Sequence, residues 1–179
     1  AKIAGSYSLV CTQEHGTTAS WLVQVLNIVT GRLDVEGGVM FTTPAVDLLG
    51  VLEKIGMARG YARCKSRVRG LPETAGELPI AALAEEIETP GKGAPRALLT
   101  IAGNPALSAP NGARLERALP RLDFMVSVDA FLNETTRHAN VILPPVSPLS
   151  RSHYDLALHA FSVRNGAKYV RPVFPRAAD

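Results

Sequence analysis

The sequence predicts an α/β domain, three layers deep (α/β/α), built on a mostly parallel sheet. Three observations carry that expectation. Between residues 96 and 145, three short apolar runs alternate with segments of helical character. Each run is nearly unbroken rather than alternating, the pattern of a strand buried on both faces. Each also stops at a turn: Gly103-Asn104-Pro105 after Ala97 to Ala102, Asp129 after Phe124 to Val128, and Pro144-Pro145 after Val141 to Leu143. Strand, helix, strand, short helix, strand is one βαβαβ half of a doubly wound fold.

The other elements follow in chain order. Tyr7 to Cys11 is a short apolar strand ending in the polar turn Thr12 to Gly16. A helix comes next: Thr17 or Thr18 can cap it, and Trp21, Leu22, Val25, Leu26 and Val29 fall on one face. Gly31 stands where a helix end needs a left-handed residue, and Asp34 to Gly38 redirect the chain. Val46 to Met57 reads as a second helix, weakened by Gly50 and Gly56. Ala58 to Gly76 is rich in Arg, Lys and Gly with little periodicity, and reads as a long exposed loop. Pro79 opens a helix through Glu88, with Glu85, Glu86 and Glu88 on its solvated face. Between the apolar runs, helices are expected from Asn111 to Leu119 and from Glu134 to Ala139. Residues 146–179 have no strong period and read as a surface segment with one late strand near Lys168 to Val170.

With 179 residues, the chain is sized for a single domain with its own core. A formal charge of +3, without a dense basic run or interleaved aromatics, argues against nucleic acid. No stretch reaches the length of a membrane span, and the opening Ala1-Lys2-Ile3-Ala4 has no signal-peptide layout, which favours a cytoplasmic setting. That opening and the basic, Pro-containing end suggest a piece cut from a longer chain. Cys11 and Cys64 lack CxxC spacing, so no iron–sulfur or zinc ligand set is local, and two buried thiols are expected. His15, His138, His153 and His159 form no metal pattern, and there is no GxSxG elbow, GxGxxG or P-loop. Neither catalytic nor metal-ligating residues are therefore assigned.

Ligands of open parallel sheets bind at the carboxyl ends of the strands. Gly103 permits close backbone approach there, Asn104 both donates and accepts, and Pro105 fixes the turn. Asp129 is an acceptor suited to ribose hydroxyls or guanine N–H groups. A helix beginning near Asn133 and Glu134 would present free backbone N–H groups to an anion. Asp129 as a turn cap and Gly-Asn-Pro as plain turn chemistry are the competing structural readings.

Three segments together resemble the molybdopterin oxidoreductases, a family that includes formate dehydrogenases, nitrate reductases and dimethyl sulfoxide reductases. Leu26 to Gly38 looks like their N-x-x-TG-x-x-x-x-x-GG segment. Gly103-Asn104-Pro105 is similar to their GNP loop, and Asp129 to Thr136 with Ala139 to Pro144 resembles D-x-F-x-x-ET…AD-x-x-LP. Order and spacing agree from about Leu9 to Tyr154. Asn140 and Ser150 depart from the acidic residues usual there, and the Thr12-Gln13 turn lacks the usual glycines.

The resemblance implies a Rossmann-like domain that holds one molybdopterin guanine dinucleotide of a molybdenum or tungsten enzyme. Carried over, Asp129 binds the guanosine end, Asn133 contacts the cofactor from the same loop, and Gly103, Asn104 and Pro105 line the crevice. Gln13 faces the pterin or pyrophosphate. The family's iron–sulfur cysteines and metal-ligating segment are missing from this sequence, so these residues alone are expected to be inactive and to hold no cofactor. Expected partners are other domains of a parent chain and iron–sulfur or other electron-transfer subunits. Two rival readings remain: a flavin or nicotinamide module, and a non-catalytic scaffold using Arg59, Arg63, Lys65, Arg67 and Arg69 as a partner surface.

Overall fold

A computed structural model describes residues 13–56, 60–156, 158–161 and 166–175, which fall into two units: residues 1–48 with 154–168, and residues 49–153 with 169–179. The expected strand Tyr7 to Cys11 lies outside the described residues, as does Cys11 itself.

In the first unit the apolar period after the polar turn forms helix α1 (Gly16–Val29). His15, not Thr17 or Thr18, precedes its first residue, and no side chain caps it. Gly31 takes the expected left-handed conformation at φ +65°, and the Arg32 amide returns to Asn27 O at 2.7 Å. Trp21, Leu22, Leu26 and Val29 lie exposed, whereas Gly16 and Asn27 are buried. The helix forms on its local pattern, but the face marked by that pattern is not buried. The turn at Asp34 to Gly38 closes through a bridge between Leu33 and Val39. The next helix, α2, is shorter than expected (Leu48–Lys54), and Gly56 at φ +76° follows its end.

The long loop expected over Ala58 to Gly76 is instead a hairpin among its described residues. Strands β1 (Tyr61–Lys65) and β2 (Pro72–Thr74) pair antiparallel, with a register irregularity between Tyr61 and Lys65. Ala62 sits there at φ +55°. Periodicity does not reveal this hairpin because charged contacts hold it. The buried Glu73 carboxylate accepts from Arg63 N at 3.1 Å, from Arg63 Nη2 at 3.0 Å, and from the Gly76 amide.

Those bonds, the Arg63 side chain first and the Gly76 amide next, hold the Glu73 carboxyl below its ordinary value of 4.5. A depressed carboxyl stabilises the fold above its unfolded pKa, and that contribution is lost as pH falls through the folded value. The hairpin is therefore expected to loosen in acid, below about pH 4.5. Glu73→Gln should lower stability at neutral pH and flatten the acid limb. Amide exchange across β1 and β2 from neutral to acidic pH checks this; an unchanged acid limb in the variant would remove Glu73 as its cause.

Pro79 starts a 3-10 turn (Ile80–Ala82) that runs into helix α3 (Leu83–Glu88). The glutamates expected on its solvated face are not solvated. Glu85 and Glu86 are buried; Glu85 accepts from Arg69 Nε, and Glu86 accepts from Val68 N at 2.8 Å and forms an ion pair with Arg67 Nε at 3.2 Å. Glu88 receives Arg114 Nε at 2.8 Å. The basic tip of the hairpin thus docks on the acidic start of α3.

The parallel sheet is as expected. Strands β3 (Ala97–Ile101), β4 (Phe124–Val128) and β5 (Val141–Ile142) pair parallel in that order, from Ala97 opposite Phe124 to Ile101 opposite Val128. Two helices connect β3 to β4: α4 (Pro105–Ser108) and α5 (Gly112–Ala118). Asn111 precedes α5 in the left-handed region that asparagine tolerates. A Cβ on Gly112 would collide with the Ala106 carbonyl, so glycine lets the two helices meet.

Ala84 and Ile87 of α3, Leu115 and Ala118 of α5, Leu119 and Met125 form one buried cluster, with Leu98 packed against it. The helices thus cover the sheet face that carries Leu98 and Met125. Leu99, Ile101 and Phe124 point to the other face and are exposed. The helix expected over Glu134 to Ala139 is a single 3-10 turn, Thr136–His138. Past residue 146 the described residues are largely irregular, as expected, with the late strand Tyr169–Val170 and an unexpected short strand, His153–Tyr154.

Candidate functional site

The loops that leave β3 and β4 meet at the carboxyl end of the parallel sheet. Between them lies a cleft of about 390 Å³, lined by Ala102, Gly103, Asn104, Val128, Asp129, Ala130, Phe131, Asn133 and Pro145. Four residues singled out by sequence, Gly103, Asn104, Asp129 and Asn133, are brought together there. Pro105 is not in the lining; it opens α4 at the first helical position. Gln13 lies in the other unit, where its carbonyl accepts the Gly16 amide at 2.9 Å.

Asp129 follows β4 and is held from two sides. Its Oδ1 accepts the Phe131 amide at 3.0 Å, and its Oδ2 accepts Asn133 Nδ2 at 3.2 Å. Each oxygen keeps acceptor capacity beyond those bonds. Asn133 is spent on shaping the loop: its Oδ1 accepts Thr135 N and Thr136 N at 3.0 Å each. Thr136 Oγ1 accepts Asn133 N at 2.7 Å and donates to Phe131 O at 2.9 Å.

These contacts correct the expected anion site. The amides that a helix at Asn133 and Glu134 would have left free belong to side-chain turns instead. Asn and Thr side chains compete with helix for local backbone groups, and here they win. The start of α4 is closed in the same way. Ala106 N donates to Thr135 Oγ1 at 3.0 Å, while Leu107 N and Ser108 N return to Asn104 O.

Asn104 joins the two loops. Its Nδ2 donates to Glu134 Oε2 at 2.6 Å, and Thr135 Oγ1 donates to its Oδ1 at 2.7 Å. The Asn104 N–H also holds the Glu134 carboxyl below its usual range, with the Glu134 amide adding to the effect. Ala102, one residue before Gly103, is left-handed at φ +50°, and its amide is tied to Val128 O at 2.9 Å. Gly103 itself has no such φ, and a Cβ there would touch only Ile101 O, at 3.8 Å. Its missing side chain leaves room in the cleft rather than relieving the fold.

Asp129 is the one ionisable residue of the lining, and neither Lys nor Arg contributes to it. Such a surface takes hydrogen-bond donors: base N–H groups or ribose hydroxyls. It gives a phosphate no countercharge. Glu134, Thr135 and Thr136 escaped the sequence reading as site-builders. An Asn followed closely by two Thr after a strand is the signal that could have found them.

Among the described residues no His, Cys, Asp and Glu cluster could hold a metal ion, and no helix is long and apolar enough to cross a membrane. Cys64, expected to be buried, is an exposed free thiol at the hairpin. Asn140 fills its unusual position without loss: its Oδ1 accepts Met125 N at 2.7 Å, a bond a carboxylate oxygen would make equally.

Residues 6–148 match the family described as molybdopterin oxidoreductase. The chain is similar to the assimilatory nitrate reductase catalytic subunit of Bacillus subtilis, 42% identical over 65 residues, or 36% of this chain. It is similar also to the F420-dependent formate dehydrogenase subunit alpha of Methanocaldococcus jannaschii, 42% identical over 60 residues, or 34% of this chain. The matched segment covers 9% of the length of each relative. No solved structure matches the chain.

Proposed function

The chain belongs to the molybdopterin oxidoreductase family, and on that premise we propose that it binds and orients the nucleotide end of one molybdopterin guanine dinucleotide within a longer oxidoreductase. Residues 1–179 are then one domain piece of that enzyme. When bound, the cofactor supplies the redox chemistry at molybdenum or tungsten. The residues of this chain supply position and hydrogen-bond acceptors.

The observation that carries this reading is the acceptor-rich cleft around Asp129 at the carboxyl end of the sheet. Guanine offers adjacent N–H donors, and a carboxylate held by Phe131 N and Asn133 Nδ2 is suited to receive them. The lining fits the base or ribose, and the pyrophosphate then lies elsewhere in the parent protein. Of the five basic residues that the scaffold reading uses, Arg63, Arg67 and Arg69 are paired with Glu73, Glu86 and Glu85, which weakens that reading; Arg59 lies outside the described residues. Substrate, electron acceptor and partner subunits belong to the rest of the parent.

Elemental analysis of the full-length protein, expressed with molybdate or tungstate in a host that makes the cofactor, tests the assignment. Near-stoichiometric metal supports it; folded protein free of both metals would return the scaffold reading.

Gly103 separates ligand from fold. Gly103→Ala has room and a compatible backbone, so it should leave the melting temperature unchanged or raise stability by about 0.4–1 kcal/mol. The added methyl narrows the cleft, and bound nucleotide should fall. A stable variant with full nucleotide content would place the ligand away from Gly103.

A further inference from the structure

Asn104 and Glu134 stand on different loops, and every polar end of their contact has a defined partner. Ala106 N donates to Thr135 Oγ1 at 3.0 Å, so the Thr135 hydroxyl keeps its own proton for Asn104 Oδ1, at 2.7 Å. The oxygen of the Asn104 amide therefore faces Thr135, and its nitrogen faces Glu134, at 2.6 Å. Thr135 is fully buried, while Glu134 is exposed. An exposed carboxylate that contributes nothing to the core is thus joined to a buried hydroxyl through one asparagine that lines the cleft.

We infer that Glu134 is a positioning residue: acting through Asn104, it locks the loop after β3 to the loop after β4 and so sets the width of the cleft and the orientation of the Asn104 amide. The inference rests on the reading of this cleft as the nucleotide site. The lock has a polarity. A donor must stand at position 104 toward an acceptor at position 134. Two acceptors repel each other across the gap, and a reversed pair closes it again.

That polarity supplies the test, in the full-length protein from a cofactor-making host. Variants Glu134→Ala, Glu134→Gln, Asn104→Asp and the double variant N104D/E134Q are compared by two readouts. One is hydrogen exchange at the Ala106 amide; the other is guanosine monophosphate released on acid hydrolysis. Glu134→Gln keeps an acceptor and should resemble the wild type. Glu134→Ala and Asn104→Asp should speed Ala106 exchange roughly tenfold or more, the scale of a lost charged hydrogen bond, and should lower nucleotide content. N104D/E134Q should recover both. In it the amide introduced at position 134 donates to the carboxylate introduced at position 104, while Thr135 still donates to the other oxygen of that carboxylate. A double variant no better than Asn104→Asp overturns the inference, as does loosened exchange at undiminished nucleotide content. Failure of the nucleotide reading looks different: nucleotide is absent from the wild type, or Asp129 variants leave it untouched, while the exchange rescue persists.

Discussion

Asp129→Ala is expected to strip guanine nucleotide from the full-length protein. The substitution removes the only charged acceptor lining the cleft. Hydrogen bonds to charged groups contribute about 1.5–3 kcal/mol, so affinity for the nucleotide end should fall by roughly ten- to a hundredfold. Asp129 also fastens its own loop through Phe131 N and Asn133 Nδ2, and alanine removes both bonds. Asp129→Asn provides the control: its amide oxygen can still accept the Phe131 amide, but its nitrogen offers a donor where guanine also offers donors. Both variants should therefore lose nucleotide, the asparagine variant with the loop better preserved. Nucleotide content equal to the wild type in both would take Asp129 out of the site and leave it as a turn residue.

Leu115→Ala is expected to be the most damaging core substitution. Leu115 is 2% exposed and sits in the cluster with Ile87, Ala118, Leu119 and Met125, where α3 and α5 meet the sheet. Truncating a buried leucine costs about 2–5 kcal/mol, part transfer and part cavity. That is a large share of the roughly 5–15 kcal/mol that holds an ordinary domain together. Amide exchange in α5 and β4, together with the thermal midpoint, should show the loss. Leu107→Ala, at a side chain 71% exposed, should shift stability by no more than about 0.5 kcal/mol. Equal effects from the two variants would refute the assignment of the core.

The two substitutions mark what sequence does and does not reveal. The parallel sheet was legible because continuous apolar runs such as Ala97 to Ala102 mark parallel strands, although the sheet face carrying Leu99 and Ile101 is exposed. The ends of those strands were legible because Gly103, Asn104 and Asp129 are turn-forming types. The hairpin was not legible. Its strands show no alternation, and its determinants are the buried Glu73, bonded by Arg63, and the pairs from Arg67 and Arg69 to glutamates on the following helix. Composition showed basic and acidic groups and assigned both to solvent, because pairing across the fold leaves no local periodicity.

The site was half legible. Asp129 was identified by its place after a strand, a local property. The amides around Asn133 were misjudged because side-chain turns and a helix start share the same residue types. The left-handed backbone at Ala102 was not legible either. The tie from Ala102 N to Val128 O is a contact between strands, invisible to a rule about residue preference. Asn104 was singled out by sequence and lines the cleft, yet its partners Glu134 and Thr135 become apparent only when the two loops stand side by side.

The most direct measurement is the identity of the nucleotide released by mild acid from the purified full-length protein, set against its molybdenum and tungsten content. Guanosine monophosphate is expected in proportion to the metal, with a sharp fall of the nucleotide in Asp129→Ala. Metal and pterin without any nucleotide, or with a different base, would contradict it.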